Sequence, residues 1–126
     1  MDQAVILSTA RTPIGKAYRG SFNDTDAPTL ASYAINASIT KAGIDPSEVE
    51  DVIMGAAVQQ GTQGYNIGRL SAAASGLPIH VPGMSVARQC ASGLMAIAIG
   101  AKQIACNEMD IVIGGGVESI SLVQNE

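Results

Sequence analysis

Two cysteines and a single histidine are the side chains of this 126-residue sequence best suited to act as nucleophile or base. Cys90 stands in Ser85-Val86-Ala87-Arg88-Gln89-Cys90-Ala91-Ser92-Gly93-Leu94-Met95-Ala96-Ile97. The stretch reads as the end of a short strand, a sharp turn carrying the cysteine, and the start of a long apolar helix. Small residues follow the cysteine, so its sulfur is expected at a helix N-terminus with little steric cover. Free N–H groups and the positive end of the macrodipole stabilise an anion there. The thiolate is the reactive form of cysteine. The stretch is therefore expected to present a nucleophile, although position alone leaves a buried packing cysteine equally open.

The other candidates are weaker. Cys106 lies near the end of the same helix, about 24 Å from Cys90 along an ideal helix. That is too far to pair, and a packing cysteine is expected. His80 sits between Pro78 and Pro82, in a linker before a strand. A surface-loop histidine is expected there, not the base that activates Cys90. Gly114-Gly115-Gly116 lacks the spacing of a dinucleotide fingerprint. These glycines are expected to let backbone pass closely under the site. Arg11, Arg19 and Arg69 could each meet a phosphate, but lone arginines usually lie on a solvated face, and none is assigned. Glu118 is expected to order the loop after the last strand. The two cysteines give neither a disulfide framework nor metal-ligand spacing, so no metal is expected.

The elements that must position Cys90 follow from apolar patterning. Ala4–Leu7 reads as a first, buried parallel strand. Residues 16–27 are polar and irregular. Pro28 opens a helix carrying Leu30, Tyr33, Ala34 and Ala37 at helical spacing, and Gly43 stops it. Asp45-Pro46-Ser47-Glu48 reads as a capped short turn. Val52–Val58 is a second strand, Gln59–Tyr65 a loop, and Asn66–Ser75 a helix ended by Gly76 and Pro78. Val81–Val86 is a third strand. The helix after Cys90 is apolar on nearly every side and is expected to be buried all round. Ile111–Gly114 is a fourth strand. Apolar runs without alternation, separated by helices, argue a parallel α/β sheet covered on both faces. Active sites of such sheets form at the carboxyl ends of the strands, where Cys90 falls.

Composition narrows the function. The formal net charge is −4 and no basic run is present, so nucleic acid is not an expected partner. Aromatic residues are only 3% against 47% hydrophobic, so the core must be built from Ala, Val, Ile, Leu and Met. No apolar run reaches the length of a membrane span. The layout of a signal peptide is absent, and reduced thiols fit a cytoplasmic setting.

Arg88-Gln89-Cys90-Ala91-Ser92-Gly93-Leu94 resembles the nucleophile motif of thiolases, enzymes that make or split 3-oxoacyl-coenzyme A by acyl transfer. Ala4 through Gly15 is similar to the N-terminal strand and turn of that family. Val52–Gly55 followed by Asn66–Arg69 is similar to its second strand and second helix, and Gly114–Ser121 to its fourth strand and the loop beyond. The match runs end to end and in order. One departure is Ala87, where many members have Asn, which leaves open how the turn before the nucleophile is braced.

The resemblance implies a thiolase-like α/β fold, of which residues 1–126 would be the βαβαβαβ portion of the first half. That portion would stop before an inserted loop domain and a C-terminal half. It implies acyl transfer between acyl-coenzyme A thioesters through an acyl-Cys90 intermediate, as thiolysis or the reverse Claisen condensation, in fatty acid metabolism. No bound cofactor is implied; coenzyme A and acyl-coenzyme A are substrates, and no residue here is assigned to them. The family's catalytic histidine and second catalytic cysteine belong to the second half, so His80 and Cys106 inherit neither role. A homodimer or homotetramer is implied. Condensing enzymes of the ketoacyl synthase type share the fold and a cysteine nucleophile, but Arg88–Gly93 favours thiolase. The alternative function is a non-catalytic module that self-associates or needs a complementing half, its strand edges and apolar helix faces being uncovered.

Overall fold

A computed structural model describes residues 3–124; Met1, Asp2, Asn125 and Glu126 lie outside the described residues. The elements are α1 (Ala27–Ala42), β1 (Asp51–Gly55), α2 (Ile67–Ala74), β2 (Gly83–Val86), α3 (Ser92–Ala105), β3 (Val112–Gly116) and α4 (Ile120–Val123). The strands form one parallel sheet in the order β2-β1-β3. Val52 pairs with Gly83 on one side and with Ile113 on the other.

Local chemistry explains the helix ends. Asp26 caps α1 by accepting from the Thr29 N–H at 2.7 Å, and Pro28 follows in the first turn. Gly43 ends the helix at φ 69°, a conformation that glycine enters freely. Asp45 and Glu48 close a reciprocal capping box around the 3₁₀ turn Pro46–Glu48, as expected from the sequence. Asn66 caps α2 by accepting from the Arg69 N–H at 3.0 Å.

The step from β1 to β2 runs one way across the sheet and the step from β2 to β3 runs the other. Right-handed crossovers therefore put α2 and α3 on opposite faces. On the α2 side, Ala31, Ile35 and Ile39 of α1 join Ile67 and Ala72 of α2 over Val52 and Met54 of β1. Ile53 points the other way, toward α3, whose Gly100 lies beside it. All of β1 is buried, as an apolar run covered on both faces requires.

Some expectations fail: the strand read over Val52–Val58 ends at Gly55, and the one read over Val81–Val86 starts only at Gly83. Ala4–Leu7 forms no strand, so the described order lacks the first β of βαβαβαβ. The segment is irregular and is tied to α1 instead: Ser8 Oγ donates to the Ser38 carbonyl at 2.7 Å and Lys41 Nζ to the Thr9 carbonyl at 3.1 Å. Both edges of β1 are already taken, so the segment has no ladder to join there, and Val5, Ile6 and Leu7 are exposed. Nor is α3 buried all round. Only Ser92, Ala96 and Gly100 are buried, an i, i+4, i+8 stripe of small residues facing the sheet, while Leu94 is 72% exposed.

Asp51 opens β1 almost fully buried, its Oδ1 accepting from the Val52 N–H at 2.8 Å. Burial pushes its carboxyl up from the ordinary aspartate value, and the Val52 hydrogen bond only partly opposes this. The folded chain thus holds this proton more tightly than the unfolded chain. The stability involved is full below the unfolded pKa and is lost as pH rises through the folded one. Asp51→Asn keeps an acceptor for Val52. It should raise the melting temperature by a few degrees at about pH 7 and leave it nearly unchanged at about pH 3, where the carboxyl is protonated in both states. Equal shifts at the two pH values would show that ionisation is not the cause.

Candidate active site

Between β2 and α3 the chain makes one tight turn, Ala87 to Ala91. Gln89 at its centre has φ 50°, the left-handed region that side chains rarely adopt. The Ala91 N–H donates to the Arg88 carbonyl at 3.0 Å and the Ser92 N–H to the Gln89 carbonyl at 3.1 Å. The buried Ser92 hydroxyl completes the brace. It accepts from the Arg88 N–H at 2.8 Å and donates to the Gln89 carbonyl at 2.6 Å. This is how the turn is held with Ala at position 87. Ser92 was not singled out from the sequence; the available signal was a serine closing a turn three residues after Gln89.

Cys90 lies on this turn as an exposed free thiol, just ahead of α3. Side chains cap α1 and α2, but Ala91 at the N-cap of α3 offers none. No N-cap side chain therefore competes with an anion at this helix start.

Glycines set how deeply the helix start sits on the sheet. A Cβ on Gly55, at the end of β1, would fall 2.3 Å from the Ser92 carbonyl carbon. One on Gly116, at the end of β3, would fall 3.0 Å from the Gly93 Cα, and one on Gly114 would fall 2.9 Å from the Ile97 Cα. The expected close backbone passage beneath the site is thus present at Gly114 and Gly116. The thiol stands at the carboxyl ends of the parallel strands.

The remaining candidates are not brought to Cys90. His80 is exposed in the segment leading into β2, whereas Cys90 lies beyond its other end; the strand alone separates them by roughly 10 Å. Cys106 caps the far end of α3 and is exposed, so it is not the packing cysteine expected. Arg69 is committed to structure: its guanidinium donates to the carbonyls of Val81 and Ile79. Glu118 does order a loop, but the one after β1, where its carboxylate accepts from the Ala57 N–H at 2.8 Å and the Val58 N–H at 3.2 Å. A cleft of about 370 Å³ opens beside α1, bordered by Arg11, Phe22 and Tyr33, and does not include Cys90. Among the described residues no group of His, Cys, Asp and Glu could hold a metal ion, and no helix is long and apolar enough to cross a membrane.

Fold and site together define a parallel α/β protein that presents a cysteine at the carboxyl ends of its strands. The family model described as the thiolase N-terminal domain matches residues 4–126, so the chain belongs to the thiolase family. It is 40% identical over 123 residues to a 3-ketoacyl-CoA thiolase of Bacillus subtilis, covering 98% of this chain and 32% of that protein. It is 40% identical over 121 residues to an acetyl-CoA acetyltransferase of Cupriavidus necator, covering 96% of this chain and 30% of that one. A crystal structure of the Bacillus anthracis acetyl-CoA acetyltransferase superposes with a TM-score of 0.90 at 36% identity, over 96% of this chain and 30% of the other. The chain thus spans about a third of the length of these relatives.

Proposed function

We propose that this chain carries the nucleophile of an acyltransferase acting on coenzyme A thioesters. Cys90 attacks the thioester carbonyl, forms an acyl-cysteine and releases the coenzyme A thiol. A second thiol, or a carbon nucleophile, then takes the acyl group from Cys90. The observation that supports this reading is the exposed Cys90 at the uncapped start of α3, behind the left-handed Gln89. Residues 1–126 are read as a thiolase N-terminal domain, with the general base and the donors for the enolate oxygen supplied by sequence beyond it. Acyl-coenzyme A and coenzyme A are the substrates, with no further cofactor. A cytoplasmic homodimer or homotetramer is the setting proposed.

A second reading is favoured by a separate observation. Leu94 and Ile97 of α3 are 72% and 45% exposed, and Val5, Ile6 and Leu7 of the opening segment are exposed as well. A chain with this much uncovered apolar surface could serve as a module that acts only when covered by a complementing half.

Incubation with acetyl-coenzyme A, followed by intact mass and peptide mapping, separates the two. Acetyl on Cys90 and not on Cys106 is expected for the nucleophile. Equal labelling of both exposed cysteines would overturn that role. A folded chain with no label would favour the module.

A further inference from the structure

Behind the turn lies a polar network that the proposed chemistry does not itself require. Gln63 is completely buried. Its Nε2 donates to the Val58 carbonyl at 2.7 Å and to Glu118 Oε1 at 2.5 Å, and its Oε1 accepts from the Ser119 N–H. Glu118 in turn accepts from the backbone N–H groups of Ala57 and Val58. The Val117 N–H donates to the Gly55 carbonyl at 3.0 Å. The chain segments leaving β1 and β3 are thereby locked to each other.

Those segments carry the start of α3. Gly55 lies against Ser92, and Gly116 lies against Gly93. Ser92 holds the backbone of Arg88 and Gln89, the two residues before Cys90. A continuous path of close contacts and hydrogen bonds therefore runs from Glu118 to the backbone of Arg88 and Gln89, next to Cys90. Glycine contacts leave no flexible side chain along the path to absorb a shift of the strand ends.

We propose that Glu118 and Gln63 are positioning residues for Cys90: they set where the thiol stands relative to the α3 N-terminus without touching substrate. This rests on the nucleophile reading. In Glu118→Gln the new amide NH₂ must face at least one of three donors, the N–H groups of Ala57 and Val58 and the Gln63 Nε2, so the lock opens.

The test uses iodoacetamide, which forms an S–C bond with the thiolate and expels iodide. The rates at Cys90 and Cys106 are measured in the same molecule, across pH, well below the melting temperature. In the unsubstituted chain Cys90 should react faster than Cys106; if it does not, the nucleophile reading itself fails. In Glu118→Gln the Cys90-to-Cys106 ratio should drop about fivefold, the size of a helix-terminus effect on an anion, with the Cys90 pH profile moving toward that of Cys106. An unchanged ratio would mean a purely structural network, and an increased ratio would mean that the carboxylate acts only as a nearby negative charge; either overturns the proposal. Should the variant not fold, hydrogen exchange on the unsubstituted chain decides. The amides of Ala57, Val58 and Ser119 should open together with those of Ala91 and Ser92 as one unit. Independent opening of the two sets would overturn the proposal.

Discussion

In the protein that also carries the complementing half, Cys90→Ala is expected to abolish acetyl exchange between acetyl-coenzyme A and free labelled coenzyme A, with a fall of at least about a thousandfold in rate. The exchange runs through an acetyl-Cys90 intermediate, so without the thiol it has no route, whichever group serves as base. Cys90 is exposed and its side chain takes no part in the side-chain brace of the turn, which comes from Ser92. Its removal should therefore change stability by no more than about 0.5 kcal/mol. The corresponding Cys106→Ala variant should exchange normally, because Cys106 stands at the other end of α3. Circular dichroism melts confirm that each variant is folded. Exchange retained in folded Cys90→Ala would sink the nucleophile assignment.

A large stability effect is expected from Gly55→Ala. The added methyl would fall 2.3 Å from the Ser92 carbonyl carbon and 2.4 Å from its carbonyl oxygen, both backbone atoms that cannot rotate away. Either β1 or the start of α3 must move. The cost should be about 3 kcal/mol or more, a large share of the whole stability of a domain this size. Gly43→Ala provides the contrast. It has a left-handed φ of 69° but nothing within 4 Å of the added carbon, so only backbone strain of about 1 kcal/mol is expected. Chemical denaturation should rank Gly55→Ala well below Gly43→Ala. The reverse order would mean that α3 does not sit on β1 as described. In whatever folded population remains, Gly55→Ala should also slow Cys90 alkylation relative to Cys106, since the displaced atoms belong to the residue that braces the turn.

The parallel sheet, its helical cover and the turn holding Cys90 were legible in the sequence because their signals are local. Pro28, Gly43 and the pair Asp45 and Glu48 each mark a helix end through chemistry confined to a few residues. Within β1, Val52–Met54 is a short apolar run, the pattern of a strand buried on both faces. Small residues after Cys90 mark an open helix start in the same way. Ala4–Leu7 carries the same kind of strand signal and still makes no strand, although β2 and β3 each keep an outer edge without a partner strand among the described residues, because pairing is decided by tertiary context and not by propensity. The orientation of α3 was likewise hidden. A helix apolar on every side has no stripe to reveal, and the sheet selected Ser92, Ala96 and Gly100 for their small size. Gln63 and Glu118 lie 55 residues apart, and nothing local says that a glutamine will be buried against a glutamate. What the sequence alone determined is the succession of helices and strands from α1 to β3, with helix ends marked by Pro28 and Gly43. Only the tertiary structure decided which strands find partners, which face of α3 meets the sheet and which distant polar groups stand behind Cys90, because those outcomes depend on contacts between segments far apart in the chain.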